Sequence, residues 1–464
     1  MNLHLTVLLS YAVILMGVGL WIGRRVNTAG GFFVAGRRLG PFLLFSTMLA
    51  ANIGAGSTVN AAGLGYRDGL SAWWWVGSAG LGSIVLALWI GPRVRALSEA
   101  HGLRTVGDFL EYRYGQRARA TVAVLLWIGT LAILAGQLIA IASVLNVITG
   151  LDRWVGCIIG GVVVTVYFSA GGLLTSAWVN VLQLGVLLIG FVVVFPLTLS
   201  EVGGWDPVIA ATRDIDGYWN FWQGGGSGWF YLAMLGPAFV VSPGLLQKVY
   251  GARDDSAVRI GVGMNAAVLL VFAAVPPLLG MIARATFPEL ADHDLALPTL
   301  LMESLPPLVG ALGLAALFSA EVSSSDAILF MLSTSLSQDL YRRFVRPAAS
   351  DGEILRVARW TAVGGGALGT GLAIVSESIV GALSFFYTLL TVSLFVPIIA
   401  GLYMRRVGSP EALTSIMGGV TLATVVQIAT GGQGLVGLTP AMWGLCAAAL
   451  GAAVVSVLRT RSAS

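Results

Sequence analysis

Leu317–Ser325 reads LFSAEVSSS and lies inside an apolar run, 306–338, that is long enough to cross a bilayer. Ala320, Ser323 and Ser324 stand at i, i+3 and i+4, so one helix face presents two hydroxyl oxygens beside a backbone carbonyl at membrane depth. That face is a candidate seat for a small hard cation. The bland reading is that both serines bond back to their own helix, as membrane serines often do. The same stretch carries Glu321 and Asp326, and ionisable side chains within a span usually serve ion or substrate pathways.

Outward from this segment the chain keeps the same character. Of 464 residues 57% are hydrophobic and 10% charged, with a mean hydropathy of +0.87, which excludes a soluble globular protein. Thirteen apolar runs of spanning length are expected, near 3–23, 40–66, 70–92, 120–149, 154–169, 173–199, 229–250, 258–284, 306–338, 357–375, 378–402, 410–430 and 439–458. The fold class is therefore an all-α polytopic membrane protein, with residues 1–464 as one transmembrane domain.

Charge placement tests the count independently of hydropathy, because cytoplasmic loops hold the Lys and Arg excess. With the N-terminus outside and the C-terminus cytoplasmic, 22 of the 26 basic residues fall on the inner side, leaving only Arg67, Arg153, Arg213 and Arg284 outside. The pI near 9.2 thus reflects topology in a plasma (cytoplasmic) membrane rather than nucleic-acid binding. The run 3–23 reads as a retained helix, since Arg24 and Arg25 follow it instead of preceding it. Cys157 and Cys446 sit alone in different spans, and of the histidines His101 and His293 lie outside the spans while His4 stands at the very edge of the first, so neither a disulfide framework nor an intramembrane metallohydrolase is expected. Gly102–Gly115, GLRTVGDFLEYRYG, reads as a short interfacial helix, and 201–228, with Trp205, Trp219, Trp222 and a Gly225-centred cluster, as an outer loop. No feature calls for a protein partner. The partners expected are the lipid bilayer, a cation and a solute.

Two spans are interrupted, at Ile53-Gly54-Ala55-Gly56 and at Val241-Ser242-Pro243-Gly244. Counted from the second span, these are helices one and six of two five-helix units, 40–199 and 229–402, flanked by 3–23 and by two C-terminal helices over 410–458. Paired breaks in corresponding positions point to a transporter of inverted repeats with binding near the midplane. A Pro-kinked packing helix is the alternative.

LAANIGAGS at Leu49–Ser57, FLEYRYG at Phe109–Gly115, GGLLTSAWVNVLQ at Gly171–Gln183, LLQKVYGARD at Leu245–Asp254 and Ala315–Tyr341, ending in LSQDLY, together resemble the sodium/solute symporters. That family includes proline, pantothenate, sialic acid and sugar carriers. The resemblance implies a LeuT-type fold with broken first and sixth core helices, alternating access, and sodium as the coupling ion. It also implies a sodium site of Ala50 and Ile53 at the first break with Ala320, Ser323 and Ser324 from the eighth core helix. Uncharged oxygens replace a hydration shell while letting the ion leave again.

The chain departs from the family where many members place an acidic residue, here Trp178-Val179-Asn180. Asn180, Glu321 and Asp326 are accordingly candidates for a second cation or proton site, with a structural carboxylate as the equal alternative. By position, Asn52, Ser57, Trp74 within the triplet Trp73–Trp75, Phe239, Ser242, Tyr387 and Thr391 should surround a solute, although the Trp triplet suits an interfacial anchor equally well. Ala238 and Ser57 stand where sugar carriers differ, which disfavours a hexose. A half-helix N-terminus near Gly54 or Gly244 favours an anionic group, so an amino or organic acid is preferred. Proton-coupled symport and a transporter-like solute sensor remain as alternatives, while a channel would need a continuous polar pore.

Overall fold

The computed structural model describes residues 3–23, 37–169, 173–222, 228–376 and 378–463, and among them the structure is helical throughout, with two isolated bridges and no strand. Arg24, Arg25, Gly171, Gly172 and the Gly225-centred cluster lie outside the described residues. In chain order the helices are α1 Leu3–Gly23, α2 Pro41–Asn52, α3 Val59–Asp68, α4 Trp73–Val85, α5 Gly91–His101, α6 Val106–Tyr114 and α7 Gln116–Thr149. They continue with α8 Arg153–Ser169, α9 Leu173–Glu201, α10 Trp205–Thr212, α11 Gly228–Val241, α12 Pro243–Tyr250, α13 Asp255–Phe272 and α14 Val275–Thr286. The last seven are α15 Ala296–Glu303, α16 Pro307–Thr334, α17 Asp351–Val375, α18 Ile379–Leu390, α19 Val396–Tyr403, α20 Ser409–Thr430 and α21 Pro440–Ala463.

Among the described residues nine helical stretches are long and apolar enough to cross a membrane, with shorter apolar helices at Leu3–Leu15, Pro41–Asn52 and Arg153–Val166. The expected thirteen runs do not map one for one onto these. The run 40–66 divides at Ile53–Thr58, and its second half joins the run 70–92 in one stretch, Val59–His101. A helical turn at Gly69–Ala72 carries the chain from α3 toward α4 without an extended loop. Glycine permits the tightest contact nearby, because a Cβ on Gly280 of α14 would overlap the Ala62 carbonyl of α3.

Both breaks form where the residues dictate. At the first, α2 ends on Asn52 and Ile53 turns to φ −99°, ψ 99°, while the next helix begins only at Val59. At the second, Ser242 is extended at ψ 122° and Pro243, which has no N–H to donate backward, starts α12. α16 packs against α2, α7 and α9, so the serine-bearing helix lies directly behind the first break. The expected N-terminal helix docks on it as α1, whose Tyr11 hydroxyl donates to Ser319 Oγ at 2.6 Å.

The two ends of the bundle differ. The interfacial helix expected near 102–115 is α6, started by a reciprocal cap in which Asp108 N–H donates to Thr105 Oγ1 and the Asp108 carboxylate accepts from Thr105 N–H. It is bolted down by Arg119, which is buried and pairs with Asp108 at 2.9 Å, Glu111 at 2.9 Å and Asp339 at 2.8 Å. At the other end the segment expected as an outer loop is more than a surface connection. Tyr218 is buried, its hydroxyl donates to Gly65 O at 2.7 Å, and its carbonyl accepts from Leu70 N–H.

Candidate cation site and central cavity

The first break redirects its own hydrogen bonds. In a continuous helix the N–H groups of Gly54 and Ala55 would serve the carbonyls of Ala50 and Ala51. Here Gly54 N–H donates instead to Ser57 Oγ at 3.0 Å, and Ala55 N–H to Gln137 Oε1 of α7 at 2.8 Å. The carbonyls left over face α16. Ser323 Oγ lies 3.0 Å from both Ala50 O and Ala320 O, and Ser324 Oγ lies 3.0 Å from Ile53 O, 3.3 Å from Ala50 O and 3.4 Å from Ala51 O. Two hydroxyls carry two protons, but four carbonyl oxygens converge on them. Such a surplus of acceptors, buried to within 2% at both serines, is the donor set a small cation would complete. Among the described residues no group of three or more His, Cys, Asp or Glu side chains could hold a metal, so a site here rests on neutral oxygens.

Beside this cluster lies a cavity of about 60 Å³. Its wall includes Ser324 and Gly54, so the oxygen cluster and the cavity share a boundary. Of the residues expected to surround a solute, Asn52, Ser57, Phe239, Ser242 and Tyr387 line it. Trp74 and Thr391 do not. Trp74 turns outward, its Nε1 donating to Phe221 O at 2.9 Å and its ring 4.5 Å from that of Trp222. Its neighbour Trp75, about 100° further round the helix, faces the cavity instead. Thr391 is buried and donates to Met234 O at 2.6 Å, capping a carbonyl of α11 ahead of the second break.

The three residues proposed for a second cation or proton site have separate environments. Asn180 Nδ2 donates to Thr47 Oγ1 at 3.4 Å. Glu321 Oε1 accepts from Thr58 Oγ1 at 2.8 Å, tying α16 to the start of the helix after the break. Asp326 is buried and interacts electrostatically with Lys248 of α12. Trp75 belongs to the triplet expected around the solute, whereas the wall residues Gln137 and Lys248 escaped the sequence reading as solute contacts. Gln137 stands out as an amide within the apolar run 120–149, and Lys248 as a cation inside the run 229–250. Both were signals of a polar interior.

A bundle of spanning helices, two of them broken beside a cavity and a cluster of neutral oxygens, defines a membrane transporter of the LeuT type. The description "Sodium:solute symporter family" matches residues 32–419, and the chain belongs to that family, whose members are transporters and not enzymes. It is 27% identical to the sodium/pantothenate symporter of Escherichia coli strain K12 over 449 residues, covering 91% of this chain and 90% of that one. It is 26% identical to the high-affinity choline transporter 1 of Drosophila melanogaster over 455 residues, covering 94% and 72%. Among solved structures, the substrate-bound outward-open state of a Na+-coupled sialic acid symporter superposes with a TM-score of 0.82 at 18% identity, covering 99% of this chain and 98% of that chain. That likeness gives the fold.

Proposed function

We propose that the protein carries a small organic solute across the plasma membrane together with sodium by alternating access, with an amino or organic acid preferred as solute. The observation that carries this reading is the set of carbonyls at Ala50, Ile53 and Ala320 facing Ser323 and Ser324, the last of which lines the central cavity. Sodium would be held by those five residues. Because they belong to two helices, any tilt of α16 away from the break lengthens several ion contacts at once and releases the ion. Ser57, Asn52, Phe239, Ser242 and Tyr387 would contact the solute on the same wall. Two five-helix units, 40–199 and 229–402, with the N-terminus outside and the Arg-rich end cytoplasmic, complete the reading.

Relatives supply range rather than identity: a pantothenate symporter, a choline transporter and a sodium/iodide cotransporter of Homo sapiens, at 24% identity, are all similar to this chain. Proton coupling stays as a second reading because Glu321 is fully buried and its Oε2 has no hydrogen-bond partner among the described residues. Uptake by sealed vesicles holding the purified protein, with labelled amino acids, carboxylates and vitamins, decides between them. Accumulation that needs a sodium gradient and is lost in Ser323→Ala supports sodium symport. Equal accumulation on a proton gradient without sodium overturns it in favour of Glu321, and sodium-dependent binding without accumulation favours a sensor.

A further inference from the structure

The central cavity combines aromatic faces with a buried cation. Trp75 of α4, Phe239 of α11 and Tyr387 of α18 form one part of its wall, with the Trp75 and Tyr387 rings 6.2 Å apart at 75° and those of Phe239 and Tyr387 5.6 Å apart at 34°. Tyr231 backs Trp75 edge-on at 5.2 Å, which holds the ring in place, and the aromatic faces carry two polar tips, Trp75 Nε1 and Tyr387 Oη, beside Gly56. Past the second break the wall includes Lys248, a cation that is 3% exposed and lies in a span.

A buried ammonium in hydrocarbon is costly and needs a reason. Lys248 Nζ donates to Gly244 O at 3.3 Å, which occupies one of its three protons. Asp326 interacts electrostatically with that charge and does not line the cavity. Gln137 adds to the same polarity. Its Oε1 is taken by Ala55 N–H, which leaves the amide nitrogen, a donor, for the cavity. The wall therefore offers donors from Lys248 and Gln137 together with aromatic faces. A cationic solute would meet the ammonium unfavourably.

We infer that the solute is an amphipathic monocarboxylate, its carboxylate held by Lys248 with help from Gln137 and its apolar body packed against Trp75, Phe239 and Tyr387. This rests on the symporter reading and narrows its substrate class. It makes Lys248 a specificity-determining residue, discriminating an acid from its uncharged amide of the same shape.

The test is binding to the purified protein, followed by tryptophan fluorescence in saturating sodium, of the paired probes hydrocinnamate and hydrocinnamamide, with pantothenate, choline and glucose beside them. At least one acid should bind, and an acid should exceed its amide by roughly tenfold or more, the size of a charge-assisted contact. Lys248→Arg should keep that preference and Lys248→Met should erase it. Because Lys248→Met strands Asp326, the double variant Lys248→Met/Asp326→Asn is measured beside it and should show the same loss with normal thermal unfolding. The inference is overturned if no acid binds, if choline or glucose binds best, or if either methionine variant keeps the acid preference. Thermal stabilisation by sodium chloride over potassium chloride without solute, lost in Ser323→Ala, tests the symporter reading separately. If it persists while acids are not preferred, only the carboxylate assignment fails.

Discussion

At the scale of single residues, the cation cluster depends on where two backbone protons go. Ser57 and Gln137 draw the Gly54 and Ala55 N–H groups away from the helix, and the carbonyls so released, those of Ala50 and Ala51, are among the ones that Ser323 and Ser324 face. Removing either hydroxyl, in Ser323→Ala or Ser324→Ala, takes away one oxygen worth roughly 1–2 kcal/mol, so the sodium concentration for half-maximal stabilisation should rise about tenfold. Sodium titration of the thermal unfolding midpoint measures this. Gly54→Ala should act more severely, because the added Cβ would overlap the Ser324 hydroxyl and come within 2.8 Å of Gln137 Oε1. Sodium should then give no shift at all. Gln137→Leu leaves the Ala55 N–H buried without its acceptor, and a loss of about 1–3 kcal/mol is expected in the same assay.

At the scale of elements, α6 acts through what it is fastened to. Arg119 at the start of α7 joins Asp108 and Glu111 of α6 to Asp339, beyond the end of α16, and Thr105 Oγ1 donates to the same Asp339 oxygen at 2.6 Å. α6 is thereby linked to the helix that carries the serine pair. Arg119→Met strands Asp339 as a buried unpaired carboxylate and should destabilise the protein by about 3–5 kcal/mol. Arg119→Met/Asp339→Leu should recover much of that loss, since the double change removes the stranded charge. Thermal unfolding of both variants checks the pair, and a single variant as stable as the parent would show that the network carries no load. The capping residues of α6 were readable in the segment TVGD, but its attachment to residue 339 was not, because 231 positions separate that aspartate from Asp108.

At the scale of the whole molecule, coupling sets a ceiling that can be measured. One sodium ion crossing about 100 mV gains about 2.3 kcal/mol, and a tenfold gradient adds about 1.4 kcal/mol, so a neutral solute can reach on the order of several hundredfold accumulation. A monocarboxylate moving with one sodium carries no net charge. The membrane potential then drops out, and the limit falls to about tenfold for the same gradient. Vesicle uptake with and without an imposed potassium diffusion potential separates the two stoichiometries. Potential-independent accumulation is expected for one sodium per carboxylate, and strong stimulation by an inside-negative potential would require a further cation. The sequence by itself determined the class: apolar runs mark the spans, Gly54 and Pro243 mark the breaks, and i, i+3, i+4 spacing puts Ala320, Ser323 and Ser324 on one face, because each of these is local along the chain. Packing across the bundle is what turns Trp75 and not Trp74 to the cavity, sets Thr391 on Met234, and brings Lys248, Gln137 and Ser324 around one space. Those facts follow from the rotation and packing of helices far apart in sequence, which no local spacing encodes.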